Sequence, residues 1–441
     1  MVNGHKRLEV ILLPEMSLFH LDSSIPGISL LPLNFLIQLN KSPGERSLAP
    51  KVPLWLLALN MGCGTLGITI ISPALGLVTN DFGVDEATGQ WVLSAYFGAI
   101  ALVQLFYGPL SDRFGRKIPL LSGLTLYGLG GFLGAYAPSI ETLIAARVIQ
   151  GLGGGSIISI IRAIINDSFE RLEAAGAFAL ISGIMVVVPI FSFISGGLLG
   201  EMIGWEGTMF LIGIAGGIAG ILNYIYLHET NLYKLEKLNP LGLFRNYMKL
   251  LVNRNFNAFM MASACNSGIF FSMIGFLPYE FARRGFTSME FGFWFALAPF
   301  GYMIGNFMTR LWVKKLGIEM MTLSGSLISL VSMVALLGVD FLGWMHPLWI
   351  ALPSMIYGIS AGLVIGNGSM GAVYAAGHLA GSASGMLGAV QMGFGVLSGS
   401  LVVLAGGYEN FNHGIQVLIG FSLVSVIFSM MTSRQKTVEA I

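Results

Sequence analysis

Long apolar runs are the feature that most constrains how this chain can fold. Only 10% of its 441 residues are charged, and the mean hydropathy is +0.77. A soluble domain carries about 25% charged residues, so this chain cannot cover itself with a water-exposed surface. Lipid must be its main solvent. Unbroken runs of about 20 apolar residues predict membrane-spanning helices rather than the alternating strands of a β-barrel.

The apolar runs form two groups of six, separated by a polar stretch from Glu229 to about Asn255. The fold class is therefore an all-α membrane protein with twelve transmembrane helices in two six-helix bundles. We place the spans at residues 53–77, 87–109, 117–137, 141–165, 174–200, 207–228, 256–279, 289–312, 320–341, 347–368, 380–405 and 411–432.

Five segments follow from this placement of the spans. We expect an N-terminal extension that is poorly ordered or interfacial, an N-terminal bundle, a cytoplasmic central loop, a C-terminal bundle and a cytoplasmic tail. Their bounds are residues 1–52, 53–228, 229–255, 256–432 and 433–441.

The distribution of lysine and arginine predicts the orientation in the membrane. Loops on one side hold most of the basic residues, and this bias marks the cytoplasmic side. The opposite loops hold Arg283 and Arg284 together with acidic residues such as Asp81, Asp85 and Glu86. Both termini are therefore expected on the cytoplasmic side, as an even number of spans requires.

Composition and motifs argue against several classes of function. The formal net charge of +1 gives no indication of a nucleic-acid partner. Cys63 and Cys265 both lie in apolar runs, which favours packing over a disulfide or a metal site. The glycine-rich run GLGGG at 151–155 follows no strand, so it does not predict a phosphate loop. We expect no enzyme activity, no cofactor and no metal.

A dense group of charges joins the second and third spans, in the stretch YGPLSDRFGRKIPL at residues 107–120. We expect Gly108 to let the end of the second span approach a neighbour. The turn is expected to hold Asp112 and Arg113, and Gly115 to permit a tight bend. A basic loop that anchors the cytoplasmic side would explain the charge but not the order of these residues.

This stretch resembles the loop 2–3 signature of the major facilitator superfamily, with Arg116 and Lys117 opening the third span. The wider run GQWVLSAYFGAIALVQLFYGPLSDRFGRK is most similar to the bicyclomycin-resistance and chloramphenicol-efflux branch of its drug:proton antiporters. The resemblance implies that Asp112 caps or pairs across to the second half and latches the outward-facing state. Arg113 and Arg116 would be its partners, and Asp167 a counter-charge.

The fourth span carries a second matching stretch, LIAARVIQGLGGG at 143–155. Arg147 lies within it, and an arginine in lipid is costly enough to predict a function. Helical spacing puts Arg147, Gln150, Gly151 and Gly154 on one face. The resemblance implies that Arg147 and Gln150 face a central cavity and take part in proton coupling. Two alternatives remain open: Arg147 snorkels outward or pairs with Glu141, and Gln150 bonds a neighbouring helix.

The fifth span resembles the antiporter signature of the family, a proline followed by a glycine pair, in GIMVVVPIFSFISGGLLG at 183–200. Pro189 is expected to bend this helix, and Gly196 and Gly197 to allow close packing. Val188 stands where the wider signature has glycine, and Phe193 where this branch usually has a second proline. These departures weaken the antiporter inference.

Proton coupling has no clear carboxylate in this sequence. Relatives in this branch often carry an aspartate in helix 1, at the position of Thr69, and no Asp, Glu or His lies in the middle of a predicted span. Either a rim carboxylate acts together with Arg147, or the coupling is altered or lost and the protein is a facilitator. An arginine without a nearby acid also favours an anionic or zwitterionic substrate over a lipophilic cation.

Polar residues inside apolar runs must face protein or water, so they are candidates for lining a cavity. The candidates are Asn60, Thr69, Gln90, Tyr96, Gln104, Asn266, Tyr357 and Gln391.

The predicted function is secondary active efflux of a drug-like or metabolic small molecule across a bacterial inner membrane. Two bundles would rock about a central site, with protons as the coupled ion. We expect a monomer surrounded by membrane lipid. The alternatives are uptake or facilitated diffusion of a nutrient or siderophore, and a non-transporting membrane receptor.

Overall fold

The computed structural model describes residues 48–237 and 240–432, and within these ranges the chain folds into fourteen α-helices and two 3₁₀ turns, with no strand. Most of the expected N-terminal extension, the residue pair 238–239 and the tail 433–441 lie outside the described residues. The expectations for those segments therefore remain predictions.

Seven helices build the N-terminal half. The first span is divided at Pro73 by a 3₁₀ turn, Ser72–Ala74, because proline cannot donate the hydrogen bond that a continuous helix needs. The other spans are single helices. The bounds are α1 (Leu54–Thr69), α2 (Leu75–Phe82), α3 (Glu86–Phe114), α4 (Lys117–Ala135), α5 (Ile140–Ser168), α6 (Arg171–Ile203) and α7 (Glu206–Tyr226).

Six further helices build the C-terminal half, after a short helix α8 in the central loop. The second 3₁₀ turn, Gly377–Leu379, lies between two of them. The bounds are α8 (Pro240–Val252), α9 (Arg254–Arg283), α10 (Ser288–Phe295), α11 (Leu297–Phe341), α12 (Leu348–Ala376), α13 (Ala380–Leu404) and α14 (Phe411–Met430).

The predicted twelve crossings are confirmed. Ten helical stretches of the described chain are long and apolar enough to cross a membrane, and two of them have 54 and 57 residues. One crossing takes about 20 residues, so each long stretch crosses twice. Their breaks lie at Gly317 and Gly377, which have φ of 81° and 55°, values that favour glycine.

The central loop is more ordered than its polar sequence predicted. Helix α8 lies within it, at Pro240–Val252, and is too short to span the membrane. Its apolar residues recur at helical spacing, and one of them, Leu250, is buried in a cluster with Phe256 and Phe259. The Tyr247 hydroxyl donates to the Leu105 carbonyl of α3 at 2.9 Å. The loop is thereby attached to both halves.

Glycines bring the backbones of the N-terminal half into contact. A Cβ at Gly153 of α5 would lie against the backbone nitrogen of Tyr127 and the carbonyl of Gly123, both in α4. On the other side of α4, Gly131 packs against the backbone of Gly213 in α7. Helices in lipid gain association energy mainly from such close packing, since lipid tails are as apolar as the helices.

Along α6, the two halves meet at one end of the molecule. We call the end that holds Phe114, Lys117 and Ser168 the basic end, and the end where α3 begins at Glu86 the opposite end. At the opposite end the rings of Phe193 in α6 and Phe295 in α10 lie 5.0 Å apart.

Other contacts reinforce this closure. The Tyr408 hydroxyl donates to Gln90 Oε1 at 2.7 Å, which joins the loop after α13 to α3. A Cβ at Gly197 of α6 would lie 2.8 Å from Cα of Met289 in α10. Nearer the basic end, no atom lies within 4 Å of a Cβ position at Gly176 or at Gly183 of α6. The halves are therefore closed at the opposite end and part along α6 towards the basic end.

We predict that Gly153→Ala lowers the free energy of unfolding by about 1–3 kcal/mol, because backbone atoms of α4 cannot move aside for a methyl group. Gly217→Ala is the matched control, since nothing lies within 4 Å of a Cβ there. A thiol-reactive dye can report thermal unfolding in detergent, because Cys63 and Cys265 are both buried. Equal melting temperatures for the two variants would contradict the packing described for α4 and α5.

Candidate functional site

The charges of the loop between α3 and α4 form a compact ion-pair cluster at the basic end. Arg116 is 7% exposed and lies at its centre. Its Nη1 donates to Asp112 Oδ1 at 2.6 Å and to Ser111 Oγ at 2.6 Å, and its Nε donates to Asp167 Oδ2 at 2.8 Å. One guanidinium therefore joins the end of α3 to the end of α5, with charge-assisted hydrogen bonds.

The start of the central loop completes this cluster. Glu229 Oε1 accepts the backbone N–H of Arg116 at 2.8 Å and that of Asn231 at 2.9 Å. Asn231 in turn donates through Nδ2 to the Asp112 carbonyl at 2.9 Å. Sequence reasoning missed Glu229, because its position at the head of a polar stretch carried no signal of this contact.

Gly115 is required at this bend for two reasons. Its φ is 93°, a conformation that residues with a side chain rarely adopt. A Cβ at this position would also overlap the Glu229 carboxylate. The expected tight bend is therefore present, and the glycine leaves room for the carboxylate that holds the following N–H.

Burial lowers the pKa of Arg116, but the adjacent Asp167 and Asp112 carboxylates raise it further, so the pKa lies above its ordinary value. The guanidinium therefore stays charged throughout the physiological range.

Two expectations for this loop were wrong. Asp112 and Arg113 lie inside α3, which continues to Phe114, and not in the turn. Gly108 has no neighbour within 4 Å of a Cβ position, so it admits no close approach. Asp112 pairs with Arg116, one of the partners that the resemblance implied, because the bend at Gly115 turns Arg116 back over the last turn of α3. The pairing of Asp112 with the second half, implied for the outward-facing state, stays a prediction.

The two remaining basic residues of the motif lie outside the cluster. Arg113 is exposed, and its guanidinium carbon lies 5.1 Å from the ring centre of Phe114. Lys117 donates to the Tyr224 carbonyl of α7 at 3.0 Å.

A second charged site lies deep inside the N-terminal half. Arg147 has no exposed surface, and its guanidinium carbon lies 4.0 Å from the ring centre of Tyr96. Its Nε donates to the Val92 carbonyl at 3.0 Å, its Nη2 to the Gly67 carbonyl at 3.1 Å, and its Nη1 to Gln150 Oε1. Carbonyl dipoles and an aromatic face solvate the charge, and no carboxylate forms an ion pair with it in the described chain.

This burial corrects the expectation that Arg147 and Gln150 face a cavity. Neither side chain has any exposed surface in this conformation. Arg147 does not snorkel outward, and Glu141 is not its partner. The reason is the glycine-mediated approach of α3 to α5, in which Gly151 would place a Cβ 2.6 Å from the Tyr96 carbonyl. Tyr96 Oη and Gln150 Nε2 are buried beside Arg147 without hydrogen-bond partners in the described chain.

Helix α6 forms the seam between the halves at the opposite end. It runs unbroken through Pro189, from Arg171 to Ile203. Gly196 packs against the Ile70 carbonyl of the first span, and Gly197 against the Ser288 carbonyl of α10. The glycine pair thus packs closely, as expected: Gly196 contacts its own half and Gly197 contacts the other half.

Several cavity candidates instead join helices within one half. Asn60 of α1 and Asn223 of α7 exchange hydrogen bonds of 3.0 and 2.7 Å. Asn266 of α9 donates to Ser425 Oγ at 2.7 Å, and Tyr357 donates to the Asn266 carbonyl. These interhelical bonds satisfy polar groups that lipid would leave unpaired.

The remaining candidates have different partners. Thr69 bonds back to the Thr65 carbonyl of its own helix at 3.3 Å, and Tyr96 packs on Arg147. Gln391 donates to Ser263 Oγ at 2.7 Å, also within one half. Gln90 and Gln104 lie between the halves.

Gln90 and Gln104 of α3 both pack on glycines of α13. The amide of Gln90 fits between Gly275 of α9 and Gly399 of α13. Gln104 Oε1 lies against Gly388 and has no hydrogen-bond donor in the described chain.

Sequence reasoning also missed two residues that connect the halves. Arg162 of α5 is partly exposed, and its Nη1 donates to Ser384 Oγ of α13 at 3.4 Å. The rule that marked Arg147, a cation inside an apolar span, could have found it. Glu201 Oε1 accepts the backbone N–H of Met289 at 2.8 Å, at the start of α10. No metal site is formed, since the described ranges hold no group of three His, Cys, Asp or Glu side chains suited to an ion.

Comparison with protein families supports this architecture. A family model described as Major Facilitator Superfamily matches residues 57–402. Solved structures share the fold. The match to the POT family transporter PepTSo covers 87% of this chain and 98% of PepTSo, with a TM-score of 0.67 and 16% identity. A bacterial homologue of the human lysosomal transporter Spinster covers 86% of this chain and 95% of its own, with a TM-score of 0.63 and 16% identity.

Similar sequences carry drug-resistance names. Multidrug resistance protein D of Escherichia coli is 27% identical over 361 residues, which are 78% of this chain and 87% of that protein. A bicyclomycin resistance protein homologue of Haemophilus influenzae is 25% identical, with 77% and 87% covered. The chloramphenicol resistance protein CraA of Acinetobacter baumannii is 27% identical, with 64% and 68% covered.

We predict that Arg116→Ala lowers the free energy of unfolding by about 3 kcal/mol, because it leaves the buried Asp167 carboxylate without its cation. Arg113→Ala removes the same charge from an exposed site three residues away and should change stability by less than about 0.5 kcal/mol. Thermal unfolding of both purified variants in one detergent makes the comparison. Equal losses would mean that the cluster contributes no more than the general charge of the loop.

Proposed function

This chain belongs to the major facilitator superfamily, and from that premise we propose that it is a secondary transporter that exports drug-like small molecules by alternating access. The inner membrane of a bacterium would be its location, with the basic end and both termini in the cytoplasm. The described conformation would then be inward-facing, because its halves are closed at the end away from the basic loops.

The observation that carries this proposal is the one-sided closure between the halves along α6. Phe193, Gly197 and Glu201 of α6 contact α10, whereas nearer the basic end no atom lies within 4 Å of a Cβ position at Gly176 or Gly183. Such a contact opens by rotation of one half against the other without unfolding a helix. A receptor or structural protein would have no need of a seam restricted to one end.

The ion-pair cluster supplies a latch for the other state. The Asp112 side chain is 44% exposed, whereas that of its partner Arg116 is 8% exposed. An accessible carboxylate can receive a donor from the second half when the basic end closes. We infer that Arg116, Asp167 and Glu229 hold Asp112 ready for this contact, which deepens the role implied by the motif.

Proton coupling has to use a carboxylate at the rim of the membrane, because the spans carry none at mid-depth. Glu201 is the rim carboxylate whose hydrogen bond joins α6 to α10. Its protonation would remove the charge that favours the N-terminus of α10, and so weaken the closure. Facilitated diffusion is the alternative, and it requires that no rim carboxylate affects flux.

We predict that tying the halves together at the opposite end stops transport. The pair Glu201→Cys and Met289→Cys, joined by a short bifunctional thiol reagent, should abolish solute flux in proteoliposomes, and cleavage of the reagent should restore it. The native Cys63 and Cys265 are buried and add little background. Each single-cysteine variant treated alike is the control. Unchanged flux through the linked protein would rule out alternating access.

We predict that Asp112→Asn cuts turnover about tenfold or more with little loss of expression, because the amide keeps the shape of the side chain but loses its charge. Efflux of a labelled drug from proteoliposomes, with and without an imposed pH gradient, measures both the latch and the coupling. Normal turnover would mean that the motif only anchors the loop on the cytoplasmic side. Flux that is the same with and without the pH gradient would exclude proton antiport but would still support transport.

A further inference from the structure

Arg162 is a cation inside a membrane-spanning helix and at the boundary between the halves. It lies six residues before the end of α5 at Ser168, which is about 9 Å from the basic end along the helix axis. Its side chain reaches the C-terminal half, where Nη1 donates to Ser384 Oγ at 3.4 Å. Unlike Arg147, it keeps part of its surface accessible.

No carboxylate neutralises this guanidinium in the part of the chain that the structure describes. The nearest acid along α5 is Asp167, which pairs with Arg116. Five residues of helix separate Asp167 from Arg162, which places the two side chains about 140° apart around the axis. An accessible cation at this depth, without a protein counter-charge, favours an anionic ligand.

A second unpartnered group lies beside it. Gln104 is 5% exposed, and its Oε1 has no donor in the described chain. That oxygen packs against Gly388, one turn of α13 beyond Ser384, so Arg162 and Gln104 contact the same face of α13 about 6 Å apart along its axis. Tyr247 of α8 approaches Gly385 between them, 3.7 Å from a Cβ position there. Four helices thus border one small polar patch.

We propose that Arg162 binds the acidic group of the transported solute and that Gln104 accepts a hydrogen bond from an N–H or O–H of the same molecule. This inference rests on the proposed transport function and names its substrate class: small organic acids that carry a donor. Ser384 and the glycines of α13 provide the surface on which the solute lies. The charge preference expected at first for Arg147 would then belong to Arg162, which is partly exposed and reaches the other half.

Three matched aromatic probes separate charge from hydrogen bonding. They are 4-aminobenzoate, an anion with a donor; benzoate, an anion without one; and 4-aminobenzamide, a neutral molecule with the same amino group. Equilibrium binding to the purified full chain at neutral pH should favour 4-aminobenzoate over 4-aminobenzamide by at least about tenfold. Arg162→Gln should bring that ratio to about one, and Arg162→Lys should keep most of it.

Gln104→Leu tests the second contact. It should remove the preference for 4-aminobenzoate over benzoate while the charge preference persists. Lys314→Gln removes an exposed positive charge of the basic end and should leave every ratio unchanged. Melting temperatures of all variants identify any that fail to fold. If Arg162→Gln fails to fold, Arg162→Lys is measured in its place.

The outcomes separate this inference from the proposed function. Equal binding of charged and neutral probes, or binding of neither, overturns the assignment of Arg162, as does an Arg162→Gln variant that weakens all three probes alike. Drug flux in proteoliposomes would leave transport standing in those cases. Charge-selective binding without flux of any probe would overturn the claim that this site binds a transported solute, and drug flux would again decide on export separately.

Discussion

The structure depends on one constraint: inside lipid, each charge and each backbone group needs a partner within the protein. Glycines meet this constraint by letting helices approach until carbonyls and amides touch. The approach of α3 to α5 at Gly151 brings the Val92 carbonyl to Arg147, so an arginine without an acid becomes a stable part of the bundle. The same constraint sets Arg162 apart, because within the described residues its side chain has one neutral hydrogen-bond partner and is partly exposed.

Two assemblies of charge lie at the two ends of the bundles. At the basic end Arg116 ties α3 to α5, and Glu229 adds the start of the central loop. The loop then contributes α8, whose Tyr247 returns to α3. The linker between the halves is therefore bound to the first half. At the opposite end Glu201 makes the corresponding cross-half contact to α10.

Sequence patterns reached the architecture because hydropathy and length act locally. The twelve spans, the bend at Gly115 and the close packing of Gly196 and Gly197 all follow from residue type and spacing. Burial was harder to predict. Arg147 and Gln150 lie on the face that helical spacing indicated, yet that face meets α1 and α3 and not a cavity. Asn60 and Asn266 instead hydrogen-bond to residues far along the chain, Asn223 and Ser425.

By itself the sequence determined that the chain spans a membrane twelve times, which side carries the basic loops, and that a charged bend joins the second and third spans. These properties depend on the transfer energy and conformational freedom of short segments. Only the tertiary structure decided which cation is enclosed and which is accessible, and that Glu229 and Glu201 make connections at the two ends. Those outcomes depend on contacts between residues 88 to 222 positions apart in the chain. A pattern within one short segment cannot predict the geometry of such contacts.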